Sequence, residues 1–176
     1  MDVIFETEHI AFVRVTEALL PEYMIMVSDV ENVLRYIGHR TEPFTLEEEK
    51  DFIREKLACG ALIFSMLEKD GGGFIGNIEL MDVRDSAAEL GIAITAKKQN
   101  MGYGREAVAG IVDFGFGHLG LRRIFLKAYP DNLRAIRVYT LCGFREYERT
   151  EEDVYMEIYP ENAGGRAGRK TRPERG

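Results

Sequence analysis

The chain holds two cysteines in 176 residues, Cys59 and Cys142, too few for a disulfide framework and too far apart for a C-x-x-C site. Both read as ordinary buried thiols in a reducing compartment. Histidine is almost as scarce. His9, His39 and His118 form no H-E-x-x-H or H-x-E pattern, and without a Cys/His cluster the sequence offers no metal site. There is no G-x-S-x-G elbow to present a nucleophilic serine. No apolar run approaches the roughly eighteen residues of a membrane span. The opening "MDVIFETEHIAF" carries acids where a secretory leader would carry bases. These absences lead to the expectation of a soluble, cytoplasmic protein with no membrane partner.

What is present suits one globular domain: 45% hydrophobic residues, enough for a sizeable core, and no internal repeat. The expected division is a single domain over residues 1–160 and a basic tail over 161–176. That tail, "ENAGGRAGRKTRPERG", holds five Lys or Arg against two Glu, so a net charge of −7 for the chain becomes about −10 for the body. Such a body repels a phosphate backbone, which argues against nucleic acid as a partner and weakly favours a cationic substrate. Lacking hydrophobic periodicity, the tail reads as a flexible terminus, with an RNA-binding arm as the competing reading.

The patterning alternates strands and helices. "IAFVRV" (10–15) reads as a strand, and Thr16 then caps the apolar-periodic "EALLPEYMIMV". Thr45-Leu46-Glu47-Glu48 is a capping box opening a helix to Gly60, with Phe52, Ile53 and Leu57 as its buried stripe. "ALIFSML" and "FIGNIELMDV" flank Asp70-Gly71-Gly72-Gly73, a hairpin signal, and "AELGIAI" (88–94) is the next strand. A helix over 104–119 buries Val108, Ile111, Val112, Gly115 and Leu119. "RIFLKAY" is a strand stopped by Pro130, Asn132 caps a short helix through Cys142 with Gly143 as its C-terminal glycine, and "FREYER" and "VYMEIY" close the chain as strands. The order β-α-α-β-β-β-α-β-α-β-β predicts a mixed α/β protein, an α+β sheet with helices on both faces. Exposed edge strands and the final hairpin are compatible with a homodimer.

Chemistry concentrates at "AITAKKQNMGYGREAV" (93–108). Gly102 and Gly104 at a helix start let the backbone turn tightly and approach a ligand, while the first unpaired N–H groups of the helix face an anion. Lys97, Lys98 and Arg105 could add positive charge. The same glycines, with Ala107, also satisfy the dinucleotide fingerprint G-x-G-x-x-A, which makes a dinucleotide-dependent oxidoreductase a competing reading. Context opposes it. Polar residues separate Ile94 from Gly102, and "RIFLKAY" carries Lys127 where an acid is required. In the blandest reading the glycines only tighten a turn.

Two segments carry a resemblance. Gln99-Asn100-Met101-Gly102-Tyr103-Gly104 resembles the Q/R-x-x-G-x-G/A loop of the Gcn5-related N-acetyltransferase (GNAT) superfamily. "NLRAIRVYTLCGF" resembles its N-x-x-A-x-x-x-Y-x-x-x-G-F helix through Asn132, Ala135, Tyr139, Gly143 and Phe144. The order of elements is similar across residues 8–160, and "FIGNIELMDVRDSAAELGIAI" resembles the branch of ribosomal-protein N-terminal and spermidine acetyltransferases. Asn100 replaces the branch's usual Gly and Ala96 a common Pro; Asn tolerates left-handed backbone better than most residues.

The resemblance implies a GNAT-like fold, with a mostly antiparallel central sheet splayed between the fourth and fifth strands of this count. It implies acetyl-CoA as co-substrate, without a metal, and an N-acetyltransferase whose acceptor is the primary amine of a small molecule, a polyamine or a protein N-terminus. Gln99, Asn100, Met101, Gly102, Tyr103, Gly104 and Arg105 would hold the pyrophosphate, Ile92, Ala93 and Ile94 the pantetheine arm, and Asn132 and Ala135 the CoA moiety. Asn132 and Tyr139, seven residues apart, fall within about 20° around a helix axis and roughly 10 Å along it. Tyr139 would protonate the leaving thiolate, or be merely a core aromatic. Glu79 and Glu89 would take the amine's proton, or be merely solubilising. A non-catalytic acyl-CoA-binding or sensor protein of the same fold is the alternative to an enzyme.

Overall fold

The structure, a computed structural model, describes residues 1–37 and 40–163. His39 and most of the basic tail, residues 164–176, lie outside the described residues. The elements are β1 (Val3–Glu6), β2 (Ile10–Arg14), α1 (Leu20–Val27), α2 (Leu46–Ala58), β3 (Leu62–Glu68), β4 (Phe74–Arg84), β5 (Ala87–Ile94), α3 (Tyr103–Gly117), β6 (Arg123–Ala128), α4 (Leu133–Leu141), β7 (Arg145–Arg149) and β8 (Val154–Ile158).

All the strands join one sheet in the order β1-β2-β3-β4-β5-β6-β8-β7. Neighbours are antiparallel except β5 and β6, where α3 makes the crossover a parallel pair requires. Those two pair only at Ala87–Glu89 against Arg123–Phe125. Beyond those rungs they part, although β5 stays paired with β4 up to Ile94 and β6 with β8 up to Ala128. This is the splay expected between the fourth and fifth strands. The count rises by one because β1 was not anticipated: "VIFE" is short and set among acids, and tertiary stacking of Phe5 on Phe12 and Phe114, with ring centroids 4.1 and 4.5 Å apart, holds it in place. A sheet with one parallel pair is not doubly wound, which overturns the dinucleotide reading.

Alternation along the strands divides the core between the two faces. Phe12 and Phe64 join Ala107, Val108, Ile111 and Val112 of α3, whereas their chain neighbours Val13 and Ile63 join Tyr23 of α1 and Ile53 of α2. The Thr45 capping box is formed, with Glu48 N donating to Thr45 Oγ1 and Thr45 N donating to Glu48 Oε2. The stripe expected on this helix is corrected: Ile53 is buried, but Phe52 and Leu57 are exposed and Glu49 is buried. Leu119 likewise lies past the end of α3 and is exposed, and Cys59 is exposed rather than buried. Phe52 and Leu57 have helical spacing, but α2 meets the sheet through a narrower face, while Cys59 and Leu119 fall beyond the ends of their helices.

Glu106 ties α3 to the β1–β2 turn. Its Oε1 accepts from Thr7 Oγ1 at 2.6 Å and from His9 N at 2.7 Å, and its Oε2 lies 3.0 Å from His9 Nδ1. Burial works to raise the Glu106 carboxyl, but these hydrogen bonds outweigh it and hold it below the ordinary value; the same contact raises the His9 imidazole. A depressed carboxyl adds stability above its unfolded pKa, lost as pH falls through the native value. A raised imidazole adds stability below about 6.5, lost as pH rises through its native value. The tie is therefore strongest between about pH 4.5 and 6.5. Replacing Glu106 by Ala should cost about 1–3 kcal/mol and flatten the pH dependence of the thermal midpoint. An unaltered profile would contradict this assignment.

Candidate active site

The parting of β5 and β6 opens a cleft of about 690 Å³, a size suited to a small ligand. Its loop end is built by local chemistry. After β5 a single 3-10 turn, Ala96–Lys98, leads into Asn100 at φ 62° and Gly102 at φ 90°, both left-handed. Asn and Gly are the residues that tolerate that conformation. The Gln99 side chain fastens the turn by donating to Ile94 O at 2.9 Å and Asn32 O at 3.1 Å. Gly102 is the N-cap of α3 and supplies no side-chain oxygen, so the first N–H groups of the helix keep their donors for a ligand. Space at Gly104 is tight: a Cβ there would lie 3.3 Å from Ile94 Cδ1.

The same cleft is lined by Glu79, Glu89, Ile92, Ala93, Ile94, Gln99, Asn100, Gly102, Gly104, Arg105, Asn132, Ala135 and Tyr139. Of the residues singled out by the sequence, Lys97, Met101 and Tyr103 do not line it. Met101 is 58% exposed, and the Tyr103 phenol donates to Glu68 Oε1 at 2.6 Å. Lys98 is committed as well, 2.7 Å from the same carboxylate. Arg105 has no acidic partner among the described residues. Asn132 caps α4, its Oδ1 accepting from Ala135 N at 3.3 Å, which places Tyr139 two turns further along.

Tyr139 is 7% exposed yet lines the cleft, with its ring against Phe144 at 5.8 Å. Burial pushes its phenol up to about 12 and the neighbouring Cys142 thiol up to about 11. Both stay protonated at neutral pH. Cys142 therefore lacks the thiolate a covalent nucleophile needs, while Tyr139 retains a proton to give.

The cleft floor comes from two paired strands, where Asn77, Glu79 and Met81 of β4 oppose Ala93, Gly91 and Glu89 of β5. Glu79 Oε2 accepts from Lys56 Nζ at 2.6 Å. Gly91 leaves room above it, since a Cβ there would sit 3.3 Å from Glu79 Cγ and 3.0 Å from Met81 Cε. Two further polar residues, not anticipated from the sequence, reach this end. Asn77 ends a buried relay: Thr16 N donates to Tyr23 Oη, Tyr23 Oη and Ser65 Oγ lie 2.6 Å apart, and Ser65 Oγ donates to Asn77 Oδ1 at 3.0 Å. Glu49 of α2 is 5% exposed, and burial raises its carboxyl. Its signal was its position four residues before Ile53, on the same helical face. Nothing in the sequence marked Asn77, because the relay joins residues far apart in the chain.

An open mixed sheet with a parallel pair that parts over a helix N-terminus defines a class of cleft built to take an extended, anion-bearing ligand. A family model described as an acetyltransferase (GNAT) domain matches residues 9–145, and the chain belongs to this family of acetyltransferases. It is 30% identical over 115 residues to an uncharacterized N-acetyltransferase, YnaD, of Bacillus subtilis, spanning 65% of this chain and 66% of that protein. It is 30% identical over 118 residues to a spermidine N(1)-acetyltransferase of Vibrio cholerae, spanning 65% and 68%. Its fold matches a GNAT-family acetyltransferase from Bacillus anthracis with a TM-score of 0.79 at 23% identity, over 89% of this chain and 98% of that one. It matches the Vibrio cholerae spermidine N-acetyltransferase solved in complex with CoA and spermine equally well, with a TM-score of 0.79 at 20% identity over the same shares. No helix among the described residues is long and apolar enough to cross a membrane.

An ultraviolet titration checks the Tyr139 environment. The difference between wild type and Tyr139→Phe should show no phenolate signal at pH 10, where an ordinary tyrosine is half ionised. A half-ionised Tyr139 at that pH would mean it is not desolvated.

Proposed function

We propose that this chain transfers an acetyl group from acetyl-CoA to a primary amine of a small molecule, a polyamine or a protein N-terminus, in the cytoplasm, as a single domain over residues 1–160. The observation that carries this reading is the convergence of two features on one cleft: the N-terminus of α3, with no side-chain cap, and the Tyr139 side chain. When bound, acetyl-CoA supplies the acyl group as an activated thioester. The residues present fit it, since Gly102 and Gly104 leave the backbone bare and β5 past Glu89 has an edge without a strand partner.

The N–H groups from Met101 to Arg105 bind the pyrophosphate, helped by the positive end of the α3 dipole, whereas that of Glu106 is taken by Gly102 O at 3.2 Å. Arg105 adds charge there. The edge of β5 at Ile92, Ala93 and Ile94 orients the pantetheine arm as an added strand would, and one of its N–H groups steadies the carbonyl oxygen where negative charge develops. Glu79 or Glu89, directly or through water, takes the proton of the incoming ammonium, whose ordinary pKa is about 8 for an α-amino group and about 10.4 for a lysine-like amine. Lys56 keeps the Glu79 carboxylate in place. Tyr139 holds a proton at Oη for the departing sulfur. A thiol of pKa about 8.5 gains little from so weak an acid until negative charge has developed on it, so Tyr139 acts late.

Replacing Tyr139 by Phe should lower kcat by about 10²- to 10⁴-fold with little change in acetyl-CoA affinity. Unchanged turnover removes the phenol from the reaction. Replacing Gly104 by Val should abolish acetyl-CoA binding measured by calorimetry, because the added carbons occupy the cleft beside Ile94; wild-type affinity in that variant would refute the pyrophosphate assignment. Release of free thiol with a panel of amines separates an enzyme from a sensor, which would bind acetyl-CoA and release none.

A further inference from the structure

Glu49 is a charge without a counter-charge. Among the described residues it makes no ion pair and no side-chain hydrogen bond, although it is 5% exposed and lines the cleft. Its neighbours on α2 are spoken for: Glu47 pairs with Lys50, Glu48 with Arg40, and Lys56 with Glu79. Burying a carboxylate unpaired is costly, and burial alone raises its pKa. A cation is therefore missing from the α1–α2 side of the cleft.

Distance decides which cation. Glu49 and Lys56 are seven residues apart, so their backbones stand about 10 Å apart along α2, and Glu79 is held by the Lys56 side chain. One nitrogen cannot serve both ends. Between and around them the walls are apolar, formed by Met26, Val27, Val33, Phe44 and Ile63. We propose that Glu49 is the specificity-determining residue of the acceptor site, pairing with a second ammonium group of a diamine whose apolar linker lies against these walls and whose other nitrogen is acetylated near Glu79. This rests on the acetyl-transfer reading of the cleft. It goes further in requiring two nitrogens and naming the residue that reads the second. A monoamine leaves Glu49 unpaired, and a longer polyamine has an additional charge to bury against apolar walls.

The test compares diaminobutane, diaminopentane and diaminohexane with butylamine, pentylamine and hexylamine, by calorimetric binding to the full chain and by acetylation rate. Wild type should favour the best diamine over its length-matched monoamine by about 10- to 100-fold in Kd and in KM. Glu49→Gln should erase that preference through the diamine alone, leaving monoamine kinetics and acetyl-CoA affinity unchanged. Its thermal midpoint at pH 7 should hold or rise, because the raised carboxyl costs native stability above its pKa and none below it. A second variant, Glu49→Met, guards against an effect peculiar to the amide. Equal binding of diamine and monoamine by wild type, retention of the preference in both variants, or a parallel loss for both amine classes would each overturn the proposal. Failure of the acetyl-transfer reading itself is told apart by acetyl-CoA binding, which it requires and which Glu49 does not touch.

Discussion

The structure depends on a sheet that is not allowed to finish. β5 and β6 share only the rungs from Ala87–Glu89 against Arg123–Phe125, and beyond these the backbone groups on one edge of Ile92, Ala93 and Ile94 have no strand to meet. Backbone N–H and C=O groups are obligatory hydrogen-bonding groups, and leaving them unpaired away from water is costly. Under the proposed function, an extended ligand bearing its own amides would satisfy them as a missing strand would. The walls of the gap bring α3, α4 and the paired floor of β4 and β5 together around one cleft.

Each side of the gap is fixed by a different kind of force. The loop side relies on backbone conformation: Asn100 and Gly102 in the left-handed region and the Gln99 amide holding Ile94 O aim the start of α3 at the cleft. The α4 side relies on packing, with Tyr139 seated against Phe144 and deprived of water, which keeps its proton in place. The α2 side relies on charge. There one carboxylate, Glu79, has its lysine and another, Glu49, does not. A fold that tolerates an unpaired buried acid at one position while pairing its helical neighbours on either side has left that charge for something else to meet.

Much of this was legible in the chain. Helical spacing located α2, α3 and α4, the capping box at Thr45 was read from four residues, and the two glycine-bearing motifs pointed to the loop and to Tyr139, which line one cleft. What misled was contact rather than periodicity. Phe52 and Leu57 have the right spacing to be buried, yet no neighbouring element covers them, and Leu119 falls past the end of α3. β1 escaped notice because Phe5 is held by rings from β2 and α3 rather than by its own sequence context.

By itself, then, the sequence determined local matters: where strands and helices begin, which turns need left-handed backbone, and which helix start is bare of a capping side chain. Those depend on neighbours within a turn or two, and short-range sterics and hydrogen bonding decide them. Only tertiary structure decided that β5 and β6 separate after a few rungs, that Tyr139 loses its water, that Ser65 and Tyr23 orient Asn77, and that Glu49 is buried while Glu47 and Glu48 find cations. Burial and pairing are properties of groups brought together from distant parts of the chain, and no local pattern of residues contains the distances that set them.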